Sequence, residues 1–472
     1  MTESGRLVLR SSASKDTTPE MGLLLGRALA MDYRRVVVAR DYMRSSTMMK
    51  DALVAGLIAN GADVVDVGFV SFPVAGMHAS KGDCAVYVTE YREFGRFSGY
   101  VLMNSDGGLF RIDQVRHLDR VFDEPVSVPE RLGRVIEQAD CVEEYNRKLL
   151  SLMAHDTECA IVLDCNCGSS ALSAPQILNA MGADLASMNA QFDRDYTVHS
   201  LIPSDSDLRD LRQFIGSDPG TVGIALNRIG NLMTVLDEKG NVIPEETALA
   251  MMVLMMRPRT LVVPMDISSL VIDAFYGRLD VDMNLKGEVP EGTELKLVLT
   301  VPNAGIVCDE MRASGAELGY YAGGFIFSDL SMTPDAIHAS CIIAQIAAAN
   351  SLVALTSSFP EYYRDSTTFR ILCPKEDFRR LMDERIAALG HEYMGNSYGW
   401  RVDMGDGWFI VRLDTEASDT VEVIAESRDR AYLAGMAEVA ADLVDSCSKG
   451  QRIISSSIGS PRESYALQLV LS

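Results

Sequence analysis

Three cysteines stand near enough in sequence to raise the question of metal chemistry: Cys165 and Cys167 are two apart, and Cys159 lies six residues before Cys165. The spacing suits zinc poorly. Cys165 and Cys167 fall in a run that reads as a strand with its turn, Ile161 to Cys167, and no second ligand pair follows. All nine cysteines are therefore expected to be ordinary buried thiols. The histidines, His78, His117, His155, His199, His338 and His391, are spread singly and suggest no metal cluster; His338 sits in an apolar stretch where a core imidazole is expected. No phosphate-loop pattern, no G-x-G-x-x-G after a strand, no H-E-x-x-H and no G-x-S-x-G occurs. Chemistry must come from residues that no short motif marks.

The elements that position such residues can be read from periodicity. Thr18-Pro19-Glu20 is a helix start, followed by an apolar stripe through Leu23, Leu24 and Ala28. A strand, Val36 to Ala39, runs into Arg40-Asp41. Ser46 starts a helix whose stripe, Met49, Leu53 and Leu57, ends near Gly61, and Val64 to Val67 is a second β-branched run. This is a β-α-β unit, which favours a right-handed parallel crossover. The grammar recurs at Ala160 to Asp164 with a helix over Ala171 to Met181, and again at Thr260 to Val263, Ser269 to Ala274 and Val281. Three tandem α/β domains follow, spanning 1–150, 151–255 and 256–362. The last segment, 363–472, alternates as antiparallel strands do over Asp403 to Leu413 and Val421 to Ala425, then forms an amphipathic helix over Arg430 to Leu443. It is expected to be an α+β domain with an extra tail, a Ser-rich turn at Ser455 to Ser460 and an edge strand at Tyr465 to Leu471, hinged near Glu361 to Asp365.

Composition bounds the partners. The 472 residues carry 66 acidic against 43 basic side chains, a net charge of −23, with 47% hydrophobic content. Such a chain repels phosphate backbones and anionic bilayers, so neither nucleic acid nor membrane is an expected partner. The longest apolar run, Ala248 to Met256, is too short to span a bilayer, and Thr2, Glu3, Ser4 and Arg6 do not resemble a secretory leader. A cytoplasmic location is the expectation.

Three α/β domains and an α+β domain around a central cleft form the layout of the α-D-phosphohexomutase superfamily, the phosphoglucomutase, phosphomannomutase and phosphoglucosamine mutase group. The chain resembles it along nearly its whole length. The resemblance rests on Val36 to Asp41 with Arg44-Ser45-Ser46, on Ala52 to Gly68 with Pro73, and on Asn104 to Gly107. It continues through Val162 to Asn166 with Ala174-Pro175, Gly223 to Ala225, Asp237 to Gly240, and Gly323 to Phe327. These are scaffold positions in the family's order.

The family's four active-site loops are all altered. Its T-A-S-H-N-P loop, bearing a phosphoserine, matches Thr89-Glu90-Tyr91-Arg92-Glu93-Phe94, so Tyr91 holds the nucleophile position. A tyrosine ring would carry its oxygen several ångströms further into the cleft, against the in-line placement that phosphoryl transfer requires. The family's N-G-x-K is Ser98 to Val101. Its Mg²⁺ loop, D-G-D-A-D-R, matches Asn227 to Leu232, putting Asn227, Ile229 and Asn231 at the metal positions, where no charged oxygen remains. Arg228 sets a fixed positive charge there, either as a partial stand-in for the ion or as the partner of Glu90 or Glu93. The sugar-reading loop is Gly319-Tyr320-Tyr321-Ala322-Gly323, in which one tyrosine is expected to pack inward and the other to close the cleft or stack on a ligand. The later R-D-G is Pro334-Asp335-Ala336. The phosphate cradle matches Arg412 to Glu422, with one cation and four carboxylates; one like-charge contact at about 4 Å costs roughly 4 kcal/mol at an effective dielectric near 20. Arg10 to Lys15 occupies the place of the family's G-T-S-G-I-R-G.

From these losses the sequence predicts a phosphohexomutase fold without mutase catalysis, with no catalytic residue and no cofactor. It would act as a binding, regulatory or partner subunit, as a homo-oligomer or beside an active mutase relative. Tyr91, Arg92, Arg228, Tyr320 and Tyr321 would line a remodelled cleft able to hold a small molecule. The alternative is a divergent phosphosugar mutase, an intramolecular phosphotransferase using Mg²⁺, or a new activity in the same cleft.

Overall fold

The computed structural model describes residues 11–12, 18–91, 97–121, 129–194, 198–199, 203–288, 292–413, 420–448 and 451–453. Its first sheet contains β1 (Ser11–Ser12), β2 (Arg35–Arg40), β3 (Asp63–Phe69), β4 (Cys84–Tyr91), β5 (Phe97–Asn104) and β6 (Val135–Glu137), in the order β1-β5-β4-β2-β3-β6. Helices α1 (Pro19–Asp32) and α2 (Arg44–Ala59) cover one face, burying Val36, Val38, Val86 and Val88; α3 (Phe72–His78) covers the other, over Val37, Ala39, Ala85 and Tyr87. Strict alternation in β2 and β4 sends odd and even residues to opposite layers, which is why both strands are almost continuously apolar.

Chain order within this sheet creates a crevice. From β2 the chain crosses to β3 on one side, then returns to β4 on the other side of β2. The connections leaving β2 and β4 therefore diverge at their C-terminal ends, the place where open α/β sheets bind ligands. The same reversal occurs twice more. Strands Ala160–Asp164, Asp184–Met188 and Val222–Leu226 pair parallel with the first in the middle, and so do Lys296–Thr300, Thr260–Pro264 and Leu318–Tyr321 about Thr260–Pro264. Three crevices result, flanked by residues 41–45 and 90–91, 165–169 and 227–231, and 265–268 and 322–323.

The fourth sheet is antiparallel, ordered Glu392–Gly395, Gly399–Asp403, Gly407–Leu413, Thr420–Ser427, Tyr363–Arg370 and Gln451–Ile453, and is packed by helices Lys375–Ala388 and Arg430–Ser448. Three local expectations change. The run Asp403 to Leu413 is not one strand but a hairpin, because Gly405 takes a positive φ of 86° and Met404 N–H bonds to Gly407 O at 2.8 Å. Val281 lies in irregular chain; Lys296–Thr300 supplies the parallel partner instead. Pro175 lies at the start of helix Ala174–Met181, so the segment before it is a short 3₁₀ turn over Ser169–Leu172. The expected tail elements at Ser455 to Ser460 and Tyr465 to Leu471 lie outside the described residues.

Among the described residues no single helix is long and apolar enough to cross a membrane; Ala336–Ala349 with Leu352–Ser358 passes by composition only as a pair bent by 92°. The first of these is a core helix, buried from Ala336 to Ile346. Asp335 caps it, accepting from His338 N–H at 2.9 Å and from Tyr145 Oη at 3.0 and 2.8 Å. Burial pushes the Asp335 carboxyl up to about 7. A raised acid pKa means the folded state holds the proton more tightly, so this group's stabilisation is complete below about pH 4 and is lost as pH rises through about 7. Urea titrations of wild type and Asp335→Asn across that window should show their stability difference changing with pH in this direction; a pH-independent difference would contradict the assignment.

Candidate functional site

At the first crevice, Asp41 ties the two diverging segments together. Its carboxylate accepts from Thr89 Oγ1 at 2.8 Å, from Glu90 N–H at 3.0 Å and from Met43 N–H at 2.9 Å. Burial raises the Asp41 pKa, with these bonds and Ser46 acting in the opposite sense. Ser45, in the first turn of the 16-residue α2, donates its hydroxyl to Glu90 Oε2. Glu90 is buried and Ser45 half-buried. Tyr91 ends β4, its backbone paired with Phe97 in the β4–β5 hairpin; Arg92 and the rest of that connection lie outside the described residues.

The second crevice abuts the first. Arg228 Nη2 lies 2.7 Å from Met43 Sδ, the residue before α2, and 3.2 Å from Asp193 O, while Phe72 N–H bonds to Ile229 O at 2.8 Å. The structure thus brings Arg228 beside the β2–α2 connection. Asn227 and Asn231 have other work. Asn227 Oδ1 accepts from the N–H groups of Gly230, Asn231 and Leu232 at 2.9, 3.0 and 3.3 Å, and its Nδ2 donates to Asn231 Oδ1 at 2.6 Å. Ile229 is buried. The loop is closed by its own neutral amides, a donor set that does not fit a hard divalent cation. Cys165 and Cys167 line the same sheet end as buried free thiols, each pushed up by burial. No group of three or more His, Cys, Asp or Glu suited to a metal occurs among the described residues.

The third crevice opens into a cavity of about 840 Å³ at the seam with the fourth sheet. Tyr320, Tyr321, Glu245, Glu246, Asp266, Arg364 and Glu426 are on its wall. Both tyrosines are buried, and both lie on the cavity wall. Strand pairing through Leu318–Tyr321 fixes both, and Tyr320 Oη donates to Glu245 at 3.2 Å. Burial, then the Glu245 charge, holds the Tyr320 phenol well above its ordinary value. Burial also raises the carboxyls of Glu246 and Asp266. Arg364 answers them, 2.8 Å from Glu426 and 3.3 Å from Glu246. Arg412 lies 3.8 Å from Asp266 and pairs with Glu422. Residues 414–419, most of the expected phosphate cradle, are outside the described residues. The site carboxylates Glu245, Glu246, Asp266 and Glu426 carry no motif in the sequence; only their positions beside strand ends, known once pairing is known, reveal them.

Comparison with known proteins places this architecture. Residues 5–126 match the description of phosphoglucomutase/phosphomannomutase, alpha/beta/alpha domain I. A curated relative from Methanosarcina barkeri named "Probable phosphoglucosamine mutase" is 28% identical over 434 residues, covering 89% of this chain and 94% of its own. A phosphoglucomutase/phosphomannomutase family protein of Burkholderia thailandensis shares the fold with a TM-score of 0.73 at 20% identity, over 94% and 98% of the two chains. An Aspergillus fumigatus N-acetylphosphoglucosamine mutase, solved with GlcNAc-6P and magnesium, matches at 0.50 and 13% identity, over 88% and 83%. Along about nine-tenths of its length the chain is similar to proteins of the α-D-phosphohexomutase superfamily, and it has their fold.

The expectation of a non-catalytic subunit is overturned by these relatives: proteins matched over about nine-tenths of this chain are named phosphoglucosamine mutases. The expectation failed because it tied catalysis to four loop positions. Phosphoryl transfer needs a nucleophile, a proton acceptor and charge stabilisation in one crevice, and it does not dictate which strand end supplies them.

Proposed function

We propose that the chain is a divergent phosphosugar mutase that moves a phosphoryl group between positions of a hexosamine phosphate. The observation that carries this reading is the likeness to phosphoglucosamine mutases along nearly the full length of both chains. The cavity supports the choice of an amino sugar. Glu245, Glu246, Asp266 and Glu426 outnumber the neighbouring Arg364 and Arg412, so an ammonium group is favoured there and a phosphate dianion is not. The phosphoryl group then belongs at the first and second crevices, beside Arg228 and the N-terminus of α2. Because the Asn227 to Asn231 loop does not fit magnesium, no step is assigned to an ion held there.

Calorimetry tests the substrate class. Glucosamine 6-phosphate should bind about tenfold or more tightly than glucose 6-phosphate, a difference of about 1.4 kcal/mol. Equal affinity, or preference for the neutral sugar, would remove the amino-sugar reading.

A further inference from the structure

The family position for the nucleophile holds a tyrosine, yet the same crevice contains a serine already hydrogen-bonded to a carboxylate. Ser45 Oγ donates to Glu90 Oε2, and the pair joins the two segments that diverge at the sheet's reversal point, one from the start of α2 and one from the end of β4. Thr89 makes a similar bond to Asp41, but it is 1% exposed and holds the strand ends together. Ser45 is half-buried.

Three further features suit this hydroxyl to phosphoryl chemistry. It occupies the first turn of a 16-residue helix, whose unpaired N–H groups and dipole favour an anion. The alternation Val36, Val38, Arg40 puts Arg40 on the same sheet face as Glu90, and Arg40 Nε is buried without a hydrogen-bond partner among the described residues. Across the crevice, Arg228 approaches the residue that precedes α2.

We propose, resting on the mutase reading above, that Ser45 is the phosphoryl acceptor of this protein and Glu90 its base. Ser45 Oγ forms a bond to phosphorus as the bond from phosphorus to the sugar oxygen breaks. The serine proton passes to the Glu90 carboxylate and from it to the departing sugar oxygen. The reverse step, with another sugar hydroxyl giving its proton to Glu90, returns the phosphoryl group and restores Ser45. The exchange needs only a hexose phosphate, and its atoms and charges balance.

The test is phosphopeptide mapping of the full-length protein after incubation with phosphorus-labelled glucosamine 1,6-bisphosphate, alongside a separate assay of glucosamine phosphate interconversion. Label is expected on Ser45, absent from Ser45→Ala, and formed about a hundredfold more slowly in Glu90→Gln, which keeps the shape of the pair. Label on any other residue, or none, overturns the proposal; interconversion without label on Ser45 leaves the mutase reading standing while sinking this one. Label on Ser45 without interconversion supports the acceptor and counts against the mutase reading. Should Ser45→Ala prove unfolded by its melting curve, the wild-type map and the Glu90→Gln rate still decide.

Discussion

Arg364→Leu is expected to destabilise the protein by about 3–5 kcal/mol, the largest effect of any single substitution at the seam between the third and fourth sheets. Arg364 reaches Glu426 at 2.8 Å and Glu246 at 3.3 Å, and its guanidinium lies 5.5 Å from the Trp408 ring centroid. Burial opposes its charge, but Glu246 and Glu426 outweigh burial and hold it above its ordinary pKa. Glu426 is only 2% exposed and also accepts from Ser269 N–H at 2.7 Å and from Trp408 Nε1 at 3.2 Å. Leucine fills the space of the aliphatic stem and leaves buried Glu426 and half-buried Glu246 without their cation, which is the costly part. The control is Arg364→Leu with Glu426→Gln: removing one orphaned charge should recover part of the loss. Equilibrium denaturation measures both, and a single-mutant loss below about 1 kcal/mol would show that the seam does not depend on this pair.

The second large effect lies under the first crevice. Helices α1 and α2 cross so closely that a Cβ built on Gly26 would sit 2.3 Å from Leu53 O and 2.8 Å from Leu57 N, both backbone atoms. Gly56 meets Leu23 O at 2.2 Å in the same way. A side chain here cannot be accommodated by a rotamer change, so the helices must separate and the Leu25, Leu29, Leu53 and Leu57 layer must open. Gly26→Val is expected to lower stability by about 3 kcal/mol. Because α2 presents Ser45, the same variant should lose activity at temperatures where it remains folded. Unchanged melting would contradict the close crossing.

The fold was legible because its signals are local and redundant. β-branched runs such as Val36 to Ala39 and Val64 to Val67, with the Met49, Leu53, Leu57 stripe between them, leave little choice but a β-α-β unit. The hairpin at Gly405 and the irregular chain at Val281 were misread because alternation alone does not show which partner a strand finds. The site was harder for a related reason. Asn227 could be recognised as a poor metal ligand from its side chain, but its capture of three backbone N–H groups depends on the loop's path. Ser45 and Glu90 are 45 residues apart, and nothing in either local sequence announces the other. Tyr320 and Tyr321 were noticed for their rings, whereas the carboxylates that set the cavity's charge, Glu245 with Glu246, Asp266 and Glu426, lie in three separate segments.

Whether the proposed mutase works on altered loops is decided by turnover. Purified full-length protein, primed with glucosamine 1,6-bisphosphate, should convert glucosamine 6-phosphate to glucosamine 1-phosphate, followed by phosphorus NMR against a protein-free control. Interconversion above that control is the predicted result; none with glucosamine, glucose or mannose phosphates, from protein shown to be folded, would contradict it.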